Sequence, residues 1–262
     1  MTLLRTRMPA PRACLLSALG LWAVHAGAAS DPSAAHSSAQ AAAIPAGPGP
    51  CVAERPALLV ERFISADCRS CWEAAPPMPS TERPVEGAAI ALDWIVPGPG
   101  GDAGPLAAAA LPEAVARAAG VAGGAVGSDE TLTRTFPLPR RTALRVDVED
   151  GPASNGYIGV RMSVRYDARR PLPEGLVGWL ALVERIAAGT EGSPVDRQLV
   201  RALVGPLAVS ELSEGRAVQH LRAVRLPKTG NPELLAAVGW VETPGRILAV
   251  GARRNPHCTP RP

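Results

Sequence analysis

The sequence predicts an α+β fold in which a reduced α/β domain is followed by a mostly antiparallel, sandwich-like β domain. Three observations carry that expectation. Residues 58–71 form an apolar, strand-like run that ends in two cysteines separated by Arg69 and Ser70. Residues 143–149 and 157–166 alternate apolar and polar side chains at the two-residue period of a half-buried strand. Residues 106–119 follow a helical pattern between a Pro/Gly loop and Gly120. With 262 residues, 47% of them hydrophobic, the chain is long enough for one large domain or two small ones.

The first strand is expected over residues 57–64, where Leu58, Leu59, Val60, Phe63 and Ile64 favour burial on both faces. Ser65-Ala66-Asp67 is a turn, and Ser65 or Asp67 is suited to cap a helix starting near Cys68. Pro76, Pro77, Pro79 and Pro84 keep that helix short, because a proline in a helix interior costs about 3 kcal/mol. A second strand is expected over 87–96 and a loop over 97–105. Pro112 can begin a fresh first turn within the helix at 106–119.

From about residue 137 the pattern becomes that of strands. Leu144, Val146 and Val148 oppose Arg145, Asp147 and Glu149; Ile158, Val160, Met162, Val164 and Tyr166 oppose Arg161, Ser163 and Arg165. This is an antiparallel pair with one buried face. Further strands are expected at 179–185, 217–226, 235–241 and 247–252. Ser193-Pro194-Val195-Asp196 predicts a helix through Val204, stopped by Gly205-Pro206.

Residues 1–29 read as a secretory signal, with Arg5, Arg7 and Arg12 ahead of an apolar stretch and small residues at 26–29. Removing it takes away three arginines and leaves basic and acidic residues equal in number. No electrostatic footprint for nucleic acid remains. No later run approaches the roughly 18 apolar residues of a membrane-spanning helix, so stable insertion after cleavage is not expected. A periplasmic or secreted protein is. Residues 30–50 are Ala, Ser, Pro and Gly with little else and read as a disordered linker. The expected domains are therefore 1–29, 30–50, 51–136 with the cysteine pair, and 137–262.

Signal cleavage would leave Cys51, Cys68, Cys71 and Cys258, an even number that suggests two disulfides, Cys68–Cys71 and Cys51–Cys258, with free thiols at Cys51 and Cys258 as the alternative to the second. A strand that delivers a C-x-x-C pair to a helix start is the geometry of thioredoxin-like redox sites. Cys68 would attack and Cys71 would resolve the mixed disulfide with a thiol or disulfide protein substrate. Glu61 is a candidate proton acceptor, as a carboxylate on the same buried strand. Two alternatives stay open. The cysteines can be inert staples of a non-enzymatic interaction module. They can also take part in handling a metal such as copper, although a site needs three or four ligands and only His220 and the His257-Cys258 pair are on offer. The residues call for no resident cofactor or metal.

Val60-Glu61-x-Phe63-x-Ser65-x-x-Cys68-x-Ser70-Cys71 closely resembles the motif of an exported bacterial thioredoxin-like family, domain of unknown function twelve twenty-three. Leu92-Asp93-Trp94 is similar to that family's second-strand motif, and Val126-Gly127-Ser128-Asp129 to another of its segments. The resemblance implies a thioredoxin-like domain followed by a β domain. Asp67 stands where the family has glycine, Trp72-Glu73 replaces a Pro-Pro pair, and no Thr-Pro precedes residue 126. Those departures imply a divergent, reduced form of the redox domain.

Overall fold

Leu58–Ser65 forms β1 and is buried along its whole length, as its apolar run requires. In the computed structural model the described residues are 56–75, 89–168, 171–227 and 229–252, all within one compact unit. The expected signal segment, the linker and the Cys51–Cys258 bridge lie outside them.

A short helix, α1 (Arg69–Glu73), follows β1. Then come β2 (Ala89–Val96), α2 (Pro112–Ala122) and β3 (Thr131–Pro137). The later strands are β4 (Leu144–Ser154), β5 (Tyr157–Tyr166), β6 (Val177–Ile186), β7 (Arg197–Ala208), β8 (Ala217–Arg225), β9 (Leu235–Thr243) and β10 (Arg246–Ala252). The architecture is a sheet-rich α+β fold.

Seven strands make one sheet in the order β10-β9-β6-β7-β2-β1-β3, and β4-β5-β8 make a second. β1 pairs parallel with β2 on one side and antiparallel with β3 on the other. β2 meets β7 in parallel at Asp93 and Leu199. The boundary expected at residue 137 therefore does not divide the sheets: strands from both sides of it share the larger one. Pairing β2 with β7 satisfies a backbone edge that would otherwise be exposed between the two halves.

The alternation of β1 sorts its side chains onto two faces. Leu59 and Phe63 join Leu92, Trp94, Val183 and Trp240 beneath α2, where Phe63 and Trp94 stack with centroids 5.9 Å apart. Ile64 faces the other way and packs with Ile95, Leu199 and Trp72 under α1. The three-stranded sheet covers the far end of that same face through Val146, Val148, Val160 and Met162 against Leu180, Leu182 and Val241. The expected antiparallel pair is β4–β5, in the register Leu144↔Tyr166 to Ser154↔Tyr157.

Two local expectations are corrected. The helix predicted from Ser193 through Val204 is instead the strand β7. Ser193 does not cap a helix; its hydroxyl accepts the Arg197 Nε–H at 2.8 Å and donates to the Val195 carbonyl at 2.8 Å, which makes a turn into the strand. β6 and β2 then supply β7 with partners on both sides, and tertiary pairing overrides local propensity. Gly205 and Pro206 sit where the β6–β7 register shifts, the position at which a sheet tolerates proline. In α2, Pro112 opens the helix as its first residue, but Gly123 at φ 76° closes it, and Gly120 lies inside.

Candidate functional site

Cys68 and Cys71 form a disulfide at the C-terminal end of β1, with Cα atoms 5.3 Å apart. The turn that delivers them is held by Ala66 N–H to the Val96 carbonyl at 2.8 Å and Cys68 N–H to the Ser65 carbonyl at 3.1 Å. Neither Ser65 nor Asp67 caps α1. Cys68 occupies the cap position, and its Sγ accepts the Cys71 N–H at 3.1 Å. Ser70 Oγ lies 3.5 Å from the same sulfur. Cys68 is buried, at 2% exposure, whereas Cys71 is partly exposed between exposed Ser70 and buried Trp72. In this disulfide form Cys68, the cysteine expected to attack, is the more buried of the two.

Three segments meet around the pair. The first is α1. The second is the glycine loop after β2, where the Gly100 N–H donates to Asp67 Oδ2 at 3.0 Å. A Cβ added at Gly98, Gly100 or Gly104 would overlap the Asp67 carboxylate, so glycine lets the loop wrap this side chain. The third is the turn between β6 and β7. The Trp72 Nε1–H donates to the Glu191 carbonyl at 2.7 Å, and Glu191 holds a left-handed φ of 49°.

Arg197 ties these parts together. Its Nη2 donates to the carbonyls of Trp72 at 2.7 Å and Ala74 at 2.9 Å, and its guanidinium lies 4.5 Å from the centroid of the Trp72 ring. Nη1 reaches Asp93 Oδ1 at 3.2 Å. Asp93 is fully buried, and Arg62 donates to its other oxygen at 2.8 Å. Burial lowers the Arg197 guanidinium from its usual range; Asp93 opposes that shift and Arg62 adds to it. The last carbonyls of α1, which a helix leaves unpaired, thus find a cation rooted in the sheet.

Glu61, the candidate proton acceptor, is on the opposite face. It accepts Arg117 Nε at 3.0 Å and Nη2 at 2.8 Å, and Arg117 also donates to Glu242 Oε1 at 2.6 Å. The Trp240 Nε1–H donates to Glu242 Oε2 at 3.0 Å, and Arg117 stands 5.2 Å from the Trp240 ring centroid. Burial pushes the Glu61 carboxyl above its ordinary value, with Arg117 pulling the other way. Burial would lower Arg117, but Glu242 and Glu61 outweigh it and hold the guanidinium charged. The sheet separates this cluster from the cysteines.

Sequence reasoning missed Arg197, Glu191 and the anchoring role of Trp72. Asp93 was visible only as part of a short motif. The one available signal was a buried-strand aspartate with no partner nearby in sequence, which demands a cation from elsewhere. Among the described residues no three His, Cys, Asp or Glu side chains converge to hold a metal. His220, on β8, donates through Nε2 to the Ala208 carbonyl at 2.9 Å. His257 and Cys258 lie outside the described residues. No helix among the described residues is long and apolar enough to cross a membrane.

No family model matches this chain, and no curated protein matches it. Among solved structures it is similar to HBP35 of Porphyromonas gingivalis, with a TM-score of 0.48 and 9% identity over 79% of this chain and 77% of that one. A likeness at that score carries no argument about activity.

Proposed function

We propose that this chain is an exported thiol–disulfide exchange protein that acts through Cys68 and Cys71 in a reduced thioredoxin-like unit. The observation that carries the reading is the disulfide itself, which links the end of a buried strand to the first turn of a helix, beside a parallel neighbour strand. Cys71 is partly exposed and Cys68 is enclosed, and exchange needs access to the attacked sulfur. The substrates are proteins or peptides that carry thiols or disulfides. Export, read from residues 1–29, would deliver the chain to a compartment where disulfides persist.

Equilibration of the full chain with a glutathione redox buffer, read by mass of the alkylated Cys68–Cys71 peptide, tests this. A reduction potential of roughly −120 to −270 mV is expected for an exchanging pair. A potential below about −300 mV marks the bridge as a structural staple and overturns the proposal.

A further inference from the structure

We propose that Cys71, not Cys68, is the sulfur that exchanges with substrate, and that Cys68 is the enclosed partner that leaves and returns. This rests on the exchange reading above. Two independent features of the site point the same way. The first is access. Cys68 is 2% exposed, whereas Cys71, although it packs against the cluster of Ile64, Trp72 and Ile95, is partly exposed and lies on α1 among the exposed residues Arg69, Ser70 and Glu73. A thiolate must approach the attacked sulfur from behind the bond that breaks, so access selects the target. The second is charge. The sulfur that leaves must carry an electron pair. Cys68 Sγ already accepts the Cys71 N–H at 3.1 Å and has the Ser70 hydroxyl at 3.5 Å. Donors aimed at a thiolate stabilise it, and a stabilised thiolate leaves faster.

A substrate thiolate attacks Cys71 Sγ and forms a mixed disulfide. The Cys68–Cys71 bond breaks, and Cys68 takes the electron pair as a thiolate held by the Cys71 N–H and the Ser70 O–H. A second substrate thiolate then attacks the substrate sulfur of the mixed disulfide, and Cys71 leaves as a thiolate. The two protons released by the substrate thiols are taken up by Cys68 and Cys71. The substrate dithiol is oxidised to a disulfide by two electrons, and the Cys68–Cys71 disulfide is reduced to a dithiol. In the reverse direction Cys71 attacks a substrate disulfide and Cys68 resolves it.

Two measurements test the assignment. The full chain is reduced with dithiothreitol and pulsed with a limiting amount of iodoacetamide, and the labelled peptide is mapped by mass. Separately, C68S and C71S are each exposed to glutathione disulfide under native conditions and in denaturant. The stabilised Cys68 thiolate would by itself react faster, but iodoacetamide must reach the sulfur, so labelling of Cys71 at least about tenfold faster than Cys68 is expected in the native chain, with the difference lost on unfolding. C68S should form the glutathione adduct at Cys71, and C71S should stay unmodified at Cys68 until denatured. Native labelling that favours Cys68, or treats both alike, overturns this inference and leaves the exchange reading standing. A pair that the redox buffer fails to reduce overturns both. The pulse on the wild-type chain does not depend on either variant folding.

Discussion

Glu61 lies within β1 and Cys68 just beyond its end, yet they come to different faces of the sheet. Glu61 points beneath α2, where Arg117 and Glu242 surround it, and the cysteines turn onto the α1 face. The carboxyl has a structural role with a measurable sign. Burial pushes it up from the ordinary 4.5, so between the unfolded and the raised folded value the folded chain binds more proton than the unfolded chain. Its contribution is complete below that value and falls as pH rises through the raised folded value. Glu61→Gln removes the dependence. The stability of the wild type minus that of the variant, measured by urea unfolding, should be larger near pH 4 than near pH 7, at roughly 1.4 kcal/mol per unit of the shift. A difference that grows with pH would show that Arg117 dominates instead.

At the scale of elements, α1 has too few turns to hold itself in place. Its position comes from the groups around it: the Trp72 indole on the Glu191 carbonyl, and Arg197 on the carbonyls of Trp72 and Ala74. An isolated helix of this length is unstable in water, so these tertiary contacts decide whether it forms. Arg197→Met keeps the bulk of the side chain and removes those donors. A loss of about 1.5–3 kcal/mol is expected, because Arg62 still pairs with Asp93. Amide hydrogen exchange should accelerate across α1 while β9 stays protected. Unchanged protection in α1 would show that Trp72 packing alone anchors the helix.

In the molecule as a whole, the two sheets approach closely at two glycines. A Cβ at Gly251 would overlap the Val146 carbonyl, and one at Gly239 would come within 2.8 Å of Val148 Cγ2. Val146 and Val148 belong to β4, so these glycines set the distance between the three-stranded sheet and the β9–β10 edge. Gly251→Ala should cost about 1–3 kcal/mol, the usual penalty of overpacking. Gly159→Ala, where nothing lies within 4 Å, should change stability by less than about 0.5 kcal/mol. Equal midpoints in thermal unfolding for the two variants would contradict this account of the sheet contact.

Local chemistry by itself determined much of the framework. The apolar run of β1, the alternation of β4 and β5, the proline start of α2 and the adjacency of Cys68 and Cys71 are encoded over a few neighbouring residues, so periodicity and spacing reveal them. The cysteine pair was legible for the same reason. Only the tertiary structure decided that β7 is a strand, because pairing with β6 on one side and with β2, about a hundred residues earlier, on the other outweighs a local Ser-Pro signal. It also joined both halves of the chain in one sheet, where Asp93 of β2 meets Arg197 of β7. The same long-range packing sent Glu61 to the far side of the sheet and left Cys71 the more accessible cysteine. Burial and ion pairing depend on which strands become neighbours, and no short window of sequence contains that information.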